Sequence, residues 1–91
     1  MKVKTKFDFY SDPGHGWLKV PMSLLDALGV RGRITTFSYQ RGENAYLEED
    51  CDATVFWNAY KERFGREPKI KHHLADRSSA IRAYASFSPI R

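Results

Sequence analysis

A turn at residues 12–16, with the sequence Asp-Pro-Gly-His-Gly, constrains the fold of this chain more than any other feature. Before it, residues 3–10 alternate in a period of two, and after it residues 17–20 resume an extended, apolar pattern. Such alternation is typical of a strand with one buried face, and proline with glycine between two such runs is turn chemistry. The sequence therefore predicts an antiparallel hairpin at the amino-terminal end.

A short helix is predicted for residues 21–28. Pro21 suits a first helical turn, because its missing N–H group would have no partner there in any case. Three leucines form the apolar face, and Gly29 is placed to end the helix in a left-handed conformation. The β-branched and aromatic residues 34–40 then predict a third strand, and residues 45–48 a fourth strand that pairs back on it.

A second helix is predicted from Ala53 to Phe64, with Gly65 after its end. A single apolar stripe runs along it at helical spacing. Either Asp50 or Asp52 is expected to cap the first turn, because a side-chain oxygen can accept hydrogen bonds from the N–H groups there and a negative charge suits the helix dipole.

The remaining elements complete an α+β pattern. Residues 70–74 are predicted to be extended, and residues 78–87 to form either a brief turn or a last strand. The element order is then β-β-α-β-β-α-β, followed by one further strand if residues 78–87 are extended. It predicts a mainly antiparallel sheet of four to six strands with two helices on one face. The 91 residues contain no linker or repeat, so a single domain over residues 1–91 is expected.

The positive charge of the chain lies in its last quarter. The formal net charge is +4, but residues 1–65 carry as many acidic as basic side chains, so the excess belongs to residues 66–91. Basic side chains interleaved with aromatic ones are typical of single-strand binding, in which cations neutralise phosphates and rings stack on bases. The residues predicted to contact nucleic acid or a protein partner are Arg31, Arg33, Lys69, Lys71, Arg77, Arg82 and Tyr84. The structural alternative is a solvated sheet edge whose charges discourage aggregation.

The turn between the first two strands is a second candidate site. Its candidate residues for binding a ligand or an anion are Asp12, Gly14, His15, Gly16 and Trp17. Glycines on both sides of His15 let backbone N–H groups converge on an anion. In another hypothesis, His15 acts as a general base or a metal ligand near neutral pH. The structural alternative is a plain hairpin bend, in which Gly16 supplies a positive φ and His15 points outward.

No metal site, cofactor or catalytic residue is predicted. His72 and His73 are adjacent, so on a strand their rings face opposite ways, and no spacing supplies the three or four ligands that zinc requires. Cys51 lies between two aspartates, whose carboxylates disfavour a thiolate. The sequence therefore favours a non-enzymatic binding module, with a small enzyme or ligand-binding domain organised around His15 as the alternative.

The sequence predicts a cytoplasmic location without a membrane partner. The amino-terminal residues are charged and alternating, which is unlike a secretory signal, and no apolar run approaches the ~20 residues of a membrane span. A single cysteine is typical of a reducing compartment. A homodimer with contacts through the sheet edge is a third hypothesis.

Three segments carry a resemblance that spans most of the chain: "YSDPGHGWLKVP", "SYQRGENAYLEEDCDA" and "IRAYASF". They resemble a set of small, functionally unassigned proteins encoded by bacteriophages, prophages and plasmids. The resemblance implies an accessory protein of a mobile element in the cytoplasm of a bacterial host cell, and it carries over no active residue. Small proteins of this kind often bind host or defence components, so a nucleic-acid-associated host or defence protein is an expected partner.

A second resemblance covers about a third of the chain, from Gly16 to Val30. A strand, a proline, a short helix and a Leu-Gly step precede a further strand, a pattern that looks like the swapped-hairpin AbrB-type DNA-binding regulators and antitoxins. In that family an acidic Gly-Asp step follows the helix, whereas Arg31-Gly32-Arg33 stands there in this chain. This resemblance implies a DNA-binding regulator as an alternative function.

Overall fold

A six-stranded sheet organises the fold in the computed structural model, which describes residues 3–89. The strands are β1 (Lys6–Ser11), β2 (Gly16–Pro21), β3 (Tyr39–Arg41), β4 (Asn44–Glu48), β5 (Lys69–Leu74) and β6 (Ala85–Ser86), and the helices are α1 (Met22–Ala27) and α2 (Asp52–Phe64). The strands lie in the order β5-β1-β2-β4-β3-β6, and within the described residues only β1 and β5 pair in parallel. The predicted α+β fold with a mainly antiparallel sheet is confirmed.

The amino-terminal hairpin forms as the sequence predicts. Strands β1 and β2 pair with Phe9 opposite Leu18 and Tyr10 opposite Trp17. The N–H group of Asp12 donates to the carbonyl oxygen of His15 at 2.9 Å and closes the turn. Because successive side chains on a strand point to opposite faces, this register sends Phe9 and Leu18 to one side of the sheet and Tyr10 and Trp17 to the other.

Both helices cover the same face of the sheet. The fully or nearly fully buried side chains of this core are Phe7, Leu18, Val20, Leu25, Val30, Ile34, Ala45, Leu47, Phe56, Tyr60 and Phe87. The ring of Phe7 on β1 meets Phe56 and Tyr60 of α2 edge-on, at centroid distances of 5.1 and 5.7 Å. Large rings bring the most apolar burial per residue, which suits a core of this size.

The third strand is shorter than predicted, because Asp52 holds the residues before it. The Asp52 carboxylate is completely buried. Its Oδ2 accepts hydrogen bonds from the N–H and Oγ1 of Thr35, at 3.0 and 2.7 Å, and from Oγ of Ser38 at 2.5 Å. Residues 34–38 therefore form a loop attached to the start of α2, and the strand begins only at Tyr39.

The predicted capping of α2 by an aspartate is wrong. The residue at the cap position is Cys51, and its side chain makes no capping hydrogen bond. The side chain of Asp52 bonds to the 34–38 loop instead, because that loop brings three donors to one buried oxygen. The two predicted helix ends are confirmed: Gly29 follows α1 with a φ of 70°, and Gly65 follows α2.

The last part of the chain combines both forms predicted for it. Strand β5 confirms the extended segment, but it is an edge strand that pairs with β1. A 3₁₀ turn at Ala80–Ala83 follows, and the last strand is the two-residue β6. Ile81 is buried on the sheet face opposite the helices, whereas Phe87 joins the main core. Within residues 3–89, no helix has the length and apolar character needed to cross a bilayer.

Candidate functional site

The carboxylate of Asp12 is the centre of the turn between β1 and β2. Oδ1 accepts the N–H groups of Gly14 and His15, each at 3.0 Å. Oδ2 accepts the N–H of Ser79 at 2.9 Å. The guanidinium of Arg82 donates Nε to Oδ2 at 2.7 Å and Nη2 to Oδ1 at 2.9 Å. The backbone N–H groups considered for an external anion therefore donate to the chain's own carboxylate.

The electrostatics of this turn follow from those contacts. The Arg82 guanidinium, and after it the N–H of Ser79, hold the pKa of Asp12 far below its ordinary value. The same ion pair raises the pKa of Arg82. The Asp12 side chain has no exposed surface, so the pair fixes the segment around residues 79–82 across the sheet.

The two glycines of the turn leave room for neighbouring side chains. A Cβ on Gly14 would lie 2.8 Å from Nη2 of Arg82, and a Cβ on Gly16 would overlap the ring of Phe9. The prediction that Gly16 supplies a positive φ is wrong, because its φ lies outside that region. Steric room for neighbouring side chains explains both residues.

The three histidines lie in different places. His15 is exposed on the turn, with its ring centroid 6.1 Å from that of Trp17. His72 projects to the helix-covered side and meets the ring of Phe9 at 5.6 Å, whereas His73 projects to the opposite side. Among the described residues, no three His, Cys, Asp or Glu side chains form a group that could hold a metal ion.

Aromatic side chains line the sheet face that the helices leave uncovered. Trp17 and Tyr46 are buried there under Ile81, and Tyr10, Tyr39 and Tyr84 pack around them. Tyr84, for which base stacking is predicted, is half-buried and contacts Tyr46, with ring centroids 5.0 Å apart. It also lies 5.0 Å from the guanidinium carbon of Arg41.

A group of lysines lies on the same sheet face, on strands β5, β1 and β2. We call it the lysine face; it comprises Lys6, Asp8, Tyr10, Lys19, Lys69, Lys71 and His73. The parallel register pairs Lys6 with Lys69, Asp8 with Lys71 and Tyr10 with His73. Paired residues of neighbouring strands project to the same side, so these six share the side opposite the core. Lys19 is opposite Tyr46 on the same side.

A histidine–tyrosine pair lies in the middle of the lysine face. The rings of Tyr10 and His73 are stacked, with centroids 4.7 Å apart and an interplanar angle of 17°. Nε2 of His73 donates to Oδ1 of Asp8 at 2.8 Å, since an ionised carboxylate only accepts. That hydrogen bond lowers the pKa of Asp8; burial opposes it, and the charges of His73, Lys19 and Lys4 add to the lowering.

The predicted nucleic-acid contacts lie in several regions. Lys69 and Lys71 belong to the lysine face. Arg77 is exposed in the loop after β5. Arg31 is paired with Asp26 at 3.0 Å, and Arg33 lines a groove beside α2. The structure therefore places Lys69 and Lys71 beside Lys6 and the other members of the lysine face. Arg31 and Arg33, which follow α1, lie in a different region.

The residues of the lysine face that the sequence does not mark as candidates are Lys6, Asp8, Tyr10 and Lys19, whereas His73 is considered there only as a metal ligand. Three of them alternate along β1 on its polar side, which the period-two pattern does reveal. Their connection with Lys69 and Lys71 depends on the parallel pairing of β1 with β5, and no local signal in the sequence specifies that pairing.

Comparison with protein-family models, with curated proteins and with solved structures finds no match to this chain.

Proposed function

We propose that this chain is a non-enzymatic module that binds single-stranded nucleic acid on the lysine face. The observation that carries the proposal is the stacked Tyr10–His73 pair with lysines on three adjacent strands around it. The earlier resemblance to small proteins of mobile elements adds the proposal that the module acts in a bacterial host cell.

The charge of the face supports binding to phosphates. Its four lysines are opposed by a single aspartate, and Lys6, Lys69 and Lys71 are exposed. Lys69 and Lys71 are two residues apart, about 6.6 Å along one strand, and Lys6 is opposite Lys69 on the next strand. Cations arranged along neighbouring strands can neutralise successive phosphates and release their counterions, which is the main source of affinity in such complexes.

The stacked pair supports contact with bases. Tyr10 and His73 are both half-buried, so part of each ring system faces solvent. The hydrogen bond from His73 to Asp8 fixes the imidazole orientation before a ligand arrives. A base that stacks on such a pair contributes about 1–3 kcal/mol with little dependence on its identity. We therefore expect weak sequence preference.

The test is binding of labelled single strands of about 12 nucleotides, a length within the usual site sizes. Fluorescence anisotropy is measured between about 50 mM and 200 mM salt. The logarithm of the binding constant is expected to fall linearly with the logarithm of salt concentration, with a slope of about −0.7 per phosphate contact. DNA and RNA strands are measured in parallel, since neither is favoured by the contacts above.

Two variants that each remove one positive charge test whether binding depends on the lysine face or only on the net charge of the protein. Lys71→Ala is expected to weaken binding and to reduce the slope by about one contact. Lys61→Ala removes the same charge from α2, where Lys61 lies 3.7 Å from Glu67, and is expected to leave binding unchanged. No binding at about 50 mM salt, or equal effects of the two variants, would refute the proposal. A nucleic-acid-associated host or defence protein would then be the partner to test.

A further inference from the structure

A second surface groove lies between the turn after β1, the loop at residues 34–38 and the residues that follow β4. Its volume is about 460 Å³. We call it the aromatic groove, defined by His15, Trp17, Phe37, Tyr39, Glu48 and Asp50. Trp17 and Tyr39 meet edge-on, with ring centroids 6.1 Å apart, so the groove has a closely packed aromatic wall.

Phe37 is the most unusual residue of the aromatic groove. Its side chain is 74% exposed, although it lies on a loop held in place by Asp52 through Thr35 and Ser38. Its own N–H donates to Oγ1 of Thr35 at 3.2 Å. This exposed ring extends the apolar lining of the groove, and aromatic residues are frequent contact points in protein interfaces.

The charge of the aromatic groove is opposite to that of the lysine face. Arg82 lines the groove, but Nε and Nη2 of its guanidinium donate to the buried Asp12 carboxylate, which balances its charge. Glu48 and Asp50 therefore determine the sign of the local charge. Phosphates would be repelled by these carboxylates, whereas a cation would be attracted.

The aromatic wall of the groove already contacts one cation within the molecule. The guanidinium carbon of Arg82 lies 5.5 Å from the centroid of the Trp17 ring. Cations are attracted to the faces of aromatic rings, and recognition of charged side chains by groups of aromatic residues uses this attraction. Long cationic side chains also place their aliphatic stems on apolar surface while the charged end stays at a polar site.

We propose that the aromatic groove binds a lysine or arginine side chain from a basic segment of a partner protein. The aliphatic stem packs on the rings of Phe37 and Tyr39, and the charged end lies between the carboxylates of Glu48 and Asp50. The proposal is independent of nucleic-acid binding, because the residues that define the aromatic groove and those that define the lysine face are different.

The probes are Nα-acetyl-arginine amide and Nα-acetyl-lysine amide, with the neutral Nα-acetyl-norleucine amide as a control of similar shape. Each is titrated into the ¹⁵N-labelled protein, and the indole N–H signal of Trp17 is followed by NMR. A saturable shift is expected with dissociation constants of about 1–10 mM for one or both cations, and a shift at least about fivefold weaker for norleucine amide.

Two variants test the assignment. Phe37→Ala removes an exposed ring, and Glu48→Gln removes a charge while keeping an oxygen for its hydrogen bond from the N–H of Asp50. Each is expected to weaken cation binding about threefold to fivefold. Lys71→Ala, on the lysine face, is expected to have no effect. Equal binding of norleucine amide, absence of saturation, or unchanged affinity in both groove variants would overturn the proposal.

Discussion

Arg82 binds Asp12 through two hydrogen bonds, from Nε to Oδ2 at 2.7 Å and from Nη2 to Oδ1 at 2.9 Å, although 70 positions separate the residues in the chain. The Asp12 side chain is fully buried by this contact. The pair joins the first turn to the 3₁₀ turn at Ala80–Ala83 and keeps Ile81 over the aromatic side chains of the uncovered sheet face.

We expect Asp12→Ala to lower the melting temperature by several degrees. The substitution leaves the guanidinium of Arg82 and the N–H groups of Gly14, His15 and Ser79 without their acceptor, and unsatisfied donors are costly. Thermal unfolding followed by circular dichroism measures the effect. Arg77→Ala removes an exposed arginine near the same segment and serves as the control. Equal melting temperatures for the two variants would contradict this role of Asp12.

The ion pair also predicts a loss of stability in acid. The pKa of Asp12 is depressed in the folded protein, so its contribution to stability is complete above the ordinary aspartate pKa of about 3.9 and declines as the pH falls below it. Urea unfolding measured from about pH 6 to pH 2 is expected to show this decline. In Asp12→Asn the decline should be shallower, because the titrating group is absent. Parallel curves for the two proteins would show that other carboxylates dominate.

The buried carboxylate of Asp52 predicts a second effect on the free energy of unfolding. Asp52→Ala removes the acceptor of three hydrogen bonds from Thr35 and Ser38. We expect the free energy of unfolding to fall by about 3 kcal/mol, because the N–H and hydroxyl groups of Thr35 and the hydroxyl of Ser38 lose their acceptor, and donors left unsatisfied in the interior are costly. The midpoint of urea unfolding should shift without a change of slope. Asp50→Ala, which alters an exposed neighbour, is expected to stay within about 0.5 kcal/mol of the parent protein.

The predictable parts of the fold are those specified by neighbouring residues. The Pro-Gly-His-Gly turn between two alternating runs is sufficient to predict the first hairpin. The helical spacing of Phe56 and Tyr60 likewise predicts which side of α2 is buried. In both cases the residues that determine the structure lie within a few positions of one another, so the periodicity of the chain contains the information.

The parts that were missed depend on contacts between distant residues. The side chain of Asp52 could cap α2 or bond to residues distant in the chain. Only the folded position of Thr35 and Ser38 decides between these alternatives. The positive charge of Lys69 and Lys71 is evident from the sequence, but their neighbours Lys6 and Tyr10 become apparent only with the parallel register of β1 and β5. Side-chain period alone cannot specify which strand lies beside which.

The close approach at Gly16 predicts the effect of adding one methyl group. In Gly16→Ala the new Cβ overlaps the ring of Phe9, so that ring must move. Overpacking of this kind costs about 1–3 kcal/mol, measured as a lower midpoint of urea unfolding. Gly32→Ala is the matched control, because its Cβ has no atom within 4 Å and its φ is not positive. We expect it to be neutral or slightly stabilising, since alanine reduces the entropy of the unfolded chain.

Combining Gly16→Ala with Phe9→Leu tests the cause of that loss. Leucine lacks the ring atoms nearest to Gly16, so the second substitution should cost less in the Gly16→Ala protein than in the parent. The difference is a coupling free energy, and residues in direct contact typically show values of about 0.5–3 kcal/mol. Additive effects would mean that contact with the Phe9 ring is not the reason why alanine is unfavourable at position 16.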